Sequence, residues 1–168
     1  MKKILFLLMV IISLSSFGQE KQKFGHINSN DLLQAMPENK QAQDALQQHS
    51  KELENQLMAM QAELEQKYND YLAKKDSLST LIQQTKEAEL NDLNTRIQSF
   101  QQTAQQDLQA KQTELLKPII EKARNTIREV AKEKGYTYVF DTSTGALVFW
   151  PEESDDLLPL VKSKLGIQ

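Results

Sequence analysis

Apolar residues recur along this chain at three spacings, and each spacing predicts a different kind of structure. From Glu38 to about Asp76 the period is seven: Leu46, Leu53 and Met60 form one series, and Leu57, Leu64, Tyr71 and Leu78 form another. Together they make the a and d positions of a helix that packs lengthwise on another helix. The seam loosens outward, because Lys67 and Lys74 take the next positions of the first series. From Thr80 to about Lys134 the period is eleven, through Ile97, Leu108, Ile119 and Val130, with Leu93, Ala104 and Leu115 as a second series. That repeat suits a nearly straight or slightly right-handed helix. Outside these stretches the pattern becomes strand-like. Phe24-Gly25-His26-Ile27-Asn28 reads as a short strand with Phe24, His26 and Asn28 on one face. Tyr136–Asp141 and Ala146–Trp150 read as two strands of a β-hairpin turning at Thr142–Gly145 and ended by Pro151.

The punctuation agrees with this division. Glycine is absent from His26 to Lys134, and only Pro37 and Pro118 interrupt that stretch. Chains that turn often use Gly, Pro, Asn and Asp, whereas this stretch is rich in Gln, Glu, Lys, Leu and Ala, mostly good helix formers. Its poorest helix formers are Asp76-Ser77-Leu78-Ser79-Thr80, and Thr80 with Gln83 has capping-box spacing. Ser29, Asn30 and Asp31 are cap types for a short helix carrying Leu32, Leu33 and Met36, and Pro37 suits the first position of the next helix. Gly135, after Lys132 and Lys134, is a C-terminal stop. Ser154, Asp155 and Asp156 offer caps for a last helix with Leu157, Leu158, Leu160, Val161 and Leu165. Glu38–Asp76 and Thr80–Lys117 are nearly equal in length, about 57 Å each at the helical rise. They therefore fold back on one another, and Pro118 marks, with a kink, where the return helix comes level with the start of the outgoing one.

The predicted fold is α+β, mostly α. A long antiparallel helical hairpin, residues 38–118 with its tip near 76–81, projects from a small β-containing body. The body is discontinuous, built from residues 19–37 and 119–168. A body this small buries too little surface to be stable alone, and its sheet edge is open, so self-association is expected.

The first residues change the picture of where the chain works. Lys2 and Lys3 precede an apolar run, Ile4 to Leu14, and Ser16 and Gly18 stand at the −3 and −1 positions of a cleavage before Gln19. Residues 1–18 therefore read as a cleaved secretory signal peptide, too short in its apolar run to span a bilayer. The chain has no cysteine, which excludes a lipidated-cysteine anchor and disulfides. No other stretch suggests membrane insertion. Without Lys2 and Lys3, 18 basic residues face 23 acidic ones, a formal charge of −5, which argues against nucleic acid as a partner.

Chemistry is scarce. The two histidines, His26 and His49, lie on different elements, and no cluster of His and carboxylates has metal-ligand spacing. There is no glycine-rich phosphate loop and no nucleophile elbow. Neither an enzyme nor a cofactor is expected. The informative surface is the arm. Most of its apolar residues, among them Leu57, Leu64, Tyr71, Leu93, Ile97 and Phe100, hold the two helices together. A two-helix hairpin cannot bury a wide apolar stripe, however, and Met58, Tyr68, Leu78, Leu81 and Ile82 are left off the seam or near the tip. Methionine and tyrosine suit adaptable contacts with varied apolar partners.

In these features the chain resembles the Skp/OmpH family of periplasmic chaperones. The likeness is carried by FGHINSNDLLQAMPE, by AKKDSLSTLIQQTKEAELNDLNTRIQSFQQ near the tip, by LLKPIIEKARNTIREVAKEKGYTYVFDTSTGALVFW and by DDLLPLVKSKLGI. Leu115 to Phe140 is its most specific part. The resemblance implies a homotrimer whose bodies join strands in a central β-structure, with three arms holding unfolded outer-membrane proteins between them without nucleotide. It also implies a periplasmic location. One departure stands out: well-known members are strongly basic, whereas this chain is acidic overall and only mildly basic near its tip, so no lipopolysaccharide site carries over. The alternative expectation is a structural coiled-coil adaptor or spacer of the cell envelope.

Overall fold

The computed structural model describes residues 22–151 and 153–167. The expected signal peptide, residues 1–18, and residues 19–21 of the expected body lie outside them. The elements run β1 (Phe24–Ile27), α1 (Ser29–Ala35), α2 (Pro37–Lys74), α3 (Thr80–Glu133), β2 (Tyr138–Asp141), β3 (Asp155–Asp156) and α4 (Leu158–Leu165). One 3-10 turn, Lys75–Ser77, joins α2 to α3, and another, Thr142–Thr144, follows β2.

The hairpin is built from the two periodic stretches. Contacts between α2 and α3 descend in register from tip to base, as antiparallel helices require: Tyr71 Oη donates to Glu87 Oε1 at 2.5 Å, His49 Nε2 meets Asp107 Oδ2 at 2.5 Å, and Lys122 pairs with Glu38. At 1.5 Å per residue, α2 is about 57 Å long and α3 about 81 Å. Along the seam Tyr71, Leu93 and Ile97 are buried, while Leu46, Leu53, Leu57, Leu64, Leu108 and Leu115 remain half-exposed. Both predicted series thus lie on the contact face. α3 runs through Pro118 without interruption. It needs no break there because proline removes only one helical hydrogen bond, and Ile119 and Ala123, just beyond it, are buried in the core and fix the helix in place.

The core sits at the other end. Ile27, Leu32, Met36, Leu157 and Val161 are essentially inaccessible and form one cluster with Ala42, Ile119, Ala123 and Val130. β1 lies at the centre of a three-stranded sheet of order β2-β1-β3, parallel to both neighbours. Gly25 allows close packing at its middle: an added Cβ would stand 2.4 Å from Leu157 Cδ1 and 3.1 Å from the Asp155 carbonyl oxygen, so the neighbours would have to shift.

Several local expectations are corrected. The side-chain cap of α1 is Asn28, whose Oδ1 accepts from the backbone of Asn30 and Asp31. No capping box forms at Thr80; Ser79 is the cap position, and the Gln83 side chain instead donates to the carbonyls of Lys75 and Leu78, closing the tip. The predicted hairpin between Tyr136–Asp141 and Ala146–Trp150 is not made. Gly145 adopts φ 70° after a 3-10 turn, and Ala146–Trp150 runs on outside the sheet. The far edge of β1 is instead paired by Asp155–Asp156, expected to be helix caps; Asp156 also does that work, its Oδ1 accepting from the Leu158 amide at 2.9 Å. Polar contacts hold that two-residue strand: Tyr136 Oη and Lys23 Nζ reach Asp155, Ser154 Oγ meets His26 Nδ1 at 2.9 Å, and the Leu157 amide donates to the His26 carbonyl. Leu157 is then drawn fully into the core.

The stop signals act as read. After α3, the Tyr136 amide bonds the Ala131 carbonyl and the Gly135 amide that of Lys132, with Gly135 at φ 70°. This is a Schellman termination. Gly166 ends α4 in the same way.

Candidate functional site

Among the described residues no group of His, Asp and Glu is placed to hold a metal ion. His26 serves the sheet and His49 the hairpin, each through a single polar partner. Among the described residues, most of the exposed large apolar side chains fall in two places.

The first is the distal arm. Two grooves flank the seam there: Tyr71 and Leu90 line both, while around the helix Tyr68, Leu72 and Lys75 fall on one side of Tyr71 and Lys67, Asp70 and Lys74 on the other. The larger, about 680 Å³, is walled by Leu64, Tyr68, Tyr71, Leu72 and Leu90, with Glu65, Lys75 and Glu87 among its charged residues. The smaller, about 310 Å³, is walled by Tyr71, Leu78 and Leu90 and ringed by Lys67, Lys74 and Lys86 with Asp70 and Glu89. The grooves follow from the geometry of two helices: a single contact line leaves a furrow on each side that a third helix would fill in a bundle.

Each residue singled out in the sequence has a definite position here. Tyr68 is 50% exposed on the wall of the larger groove. Leu78 is half-buried in the smaller one. Met58, Leu81 and Ile82 are exposed, Leu81 at 74%, without joining the residues that line either groove. The five are therefore spread along the distal half of the arm and do not converge. Leu72, half exposed beside Tyr68, was missed; its spacing of four from Tyr68 on one helix was the available signal.

The Tyr71–Glu87 bond pins the two helices between the grooves. That bond, with some contribution from burial, pushes the Tyr71 hydroxyl up to about 12.

The second surface is the sheet. Gly25, Ile27 and Val139 turn toward the helices, while Phe24, Tyr138 and Phe140 project from the opposite face. Their rings pack together: Phe24 stacks on Tyr138 at 6.0 Å and lies tilted against Phe140 at 6.3 Å. Trp150 continues the row over His26 at 5.7 Å. Val148 and Phe149 are almost fully exposed beside them. The alternation Tyr138-Val139-Phe140 announced this face, but its bareness shows only in three dimensions.

Both the arrangement and the sequence match known proteins. The model of the OmpH-like outer membrane protein family matches residues 23–165. The chain belongs to this family. It is similar to the chaperone protein Skp of Vibrio cholerae serotype O1, with 23% identity over 136 residues and 78% of each chain covered. The fold is that of a candidate OmpH-like outer membrane chaperone of Caulobacter crescentus CB15, with a TM-score of 0.76 at 16% identity, over 88% of this chain and 86% of that one. These descriptions are of chaperones and of an outer-membrane protein family; enzymatic activity is no part of them.

Proposed function

We propose that this OmpH-like chain is an ATP-independent holdase of the periplasm that binds unfolded outer-membrane proteins between its arms and prevents their aggregation. The observation that carries this reading is the row of large apolar side chains left exposed along the distal arm, Met58, Tyr68, Leu72, Leu81 and Ile82. Residues that serve only to pair two helices would lie on the seam, and these do not. Each such contact is worth about a kilocalorie or less, so clients are held by many weak contacts and released without nucleotide. The likeness to a chaperone supports the same reading. Secretion would follow from cleavage after residue 18, and among the described residues no helix is long and apolar enough to cross a membrane.

Assembly is part of the proposal. Parallel sheets are almost always covered on both faces. Here the sheet is parallel, and one face carries stacked, half-exposed aromatic rings. We infer that copies of the chain cover that face for one another, joining bodies made of residues 19–37 and 119–168 into a trimer. The arms, residues 38–118, would then enclose a common space.

The test is dilution of a denatured outer-membrane barrel protein into buffer containing the mature chain, followed by light scattering. Suppression of scattering at equimolar trimer is expected, and no suppression would sink the reading. Sedimentation equilibrium that finds a stable monomer would defeat the assembly. Replacing Tyr68, Leu81 and Ile82 with serine should weaken binding gradually across clients. Sharp loss of one fixed partner would favour an envelope adaptor instead.

A further inference from the structure

The two distal grooves differ in charge. The smaller gathers Lys67, Lys74 and Lys86 against Asp70 and Glu89, and its Glu89 is already paired with Lys86 at 2.8 Å. The larger, on the other side of the seam, gathers Glu65 and Glu87 next to tyrosine rings. Glu65 makes no hydrogen bond or ion pair among the described residues. Glu87 spends one oxygen on the Tyr71 hydroxyl and keeps the other free. Tyr68 is half exposed on the same wall. The groove's single cation, Lys75, already lies over the Tyr71 ring at 5.6 Å from its centroid.

An aromatic face beside an unpaired carboxylate is the environment that recognises a guanidinium or ammonium group with an apolar stem. The ring quadrupole attracts the cation, the carboxylate pairs with it, and the aliphatic stem lies along leucine. Lys75 shows the first of these interactions within the chain itself. The geometry points to the larger groove as a subsite for basic side chains: it takes an extended client segment in which arginine or lysine adjoins an aliphatic or aromatic residue. Leu64, Leu72 and Leu90 receive the apolar neighbour, Tyr68 and Glu65 the cation, and Glu87 a second cation. The inference rests on the holdase reading and narrows it, giving one side of the arm a preference that the lysine-lined side lacks. It also gives the acidic balance of the chain, 23 Asp and Glu against 20 Lys and Arg, a local role.

The test uses the full mature chain in its assembled form. Three labelled peptides share one alternating valine–tyrosine backbone and differ in carrying arginine, glutamine or glutamate at the remaining positions. Fluorescence anisotropy reads their affinities. Two exposed charge contacts should favour the arginine peptide over the glutamine one by roughly three- to tenfold at low salt, shrinking as salt rises. Glu65→Gln with Glu87→Gln should abolish the preference; the amide oxygen introduced by the second substitution can still accept the Tyr71 hydroxyl, so the hairpin is kept. Lys75→Gln should strengthen arginine-peptide binding by removing the internal competitor, a gain that a purely structural role for Lys75 would not produce. Equal affinities, a preference for glutamate, a preference that survives the double variant, or no peptide binding by a chain that still suppresses aggregation would each overturn the inference. Light scattering run alongside keeps the two readings separate. If the unmodified chain fails to suppress aggregation, the holdase reading falls, and the peptide preference still decides the groove by itself.

Discussion

The body and the arm are made of similar apolar residues, and they use them in opposite ways. In the body, Ile27, Leu32, Met36, Leu157 and Val161 come from a strand, two short helices and the segments beside them, and all are at most 2% exposed. In the arm, leucines of the same kind repeat just as regularly, yet Leu53, Leu57 and Leu64 stay half-exposed. The difference is the number of layers. A sheet with helices packed over it encloses a volume, whereas two helices touch along a line. Regular spacing therefore makes a core in one place and an adhesive surface in the other.

Truncation should expose this contrast most strongly. Leu157→Ala should cost about 2–5 kcal/mol, because it empties a closed site between β1 and α4. Leu57→Ala on the half-exposed seam should cost about 1 kcal/mol. Urea unfolding followed by circular dichroism measures both, and equal losses would refute the contrast. Gly25→Ala probes the same closed packing from the opposite direction. Its Cβ must displace Leu157 or the β3 backbone, for about 1–3 kcal/mol in the same assay.

The polar contacts of the two regions should differ as well. At the end of β2, Asp141 accepts from the Ser29 hydroxyl at 2.6 Å and from the backbone amides of Ser29 and Ser143. Burial by itself would raise its pKa, but these hydrogen bonds outweigh burial and hold the carboxyl below its usual range. Its contribution is therefore complete above pH about 4 and fades as pH falls further. Ser29→Ala should cost about 1 kcal/mol at pH 7 and flatten that acid dependence in chemical melts. In the arm the dependence lies at the other end of the scale. The Tyr71 hydroxyl is raised to about 12, chiefly by its bond to Glu87, so the hairpin keeps this contribution below pH 10 and loses it as pH climbs toward 12. Tyr71→Phe should have the smallest effect on overall stability, visible as faster amide exchange near Glu87 and loss of that alkaline dependence.

Legibility also divides along this line. The repeats of seven and eleven placed Tyr71, Leu93, Ile97, Ile119 and Val130 on the buried side, because helical side chains three and four apart must share a face whatever surrounds them. Gly135 announced the end of α3 for an equally local reason: its amide and its left-handed backbone satisfy the last turn. The sheet was less legible. Ala146–Trp150 has strong β-forming residues and stays outside, while Asp155–Asp156, poor β-formers, pair with β1. The arm's off-seam residues were readable as leftovers, but the charge difference between its two sides was not, since it depends on which α3 residues stand beside which turns of α2.

By itself, the sequence determined the lengths of the helices, their contact faces and their stops, because those depend on residues within a few positions of one another. Only the tertiary structure decided which segment became the third strand and which apolar residues stayed bare. A strand exists only where a partner edge is free, and β1 gave its second edge to the segment that Lys23, His26 and Tyr136 could hold by polar contacts while Leu157 entered the core. Burial likewise depends on how many layers meet at a point, and that number is a property of the assembled fold.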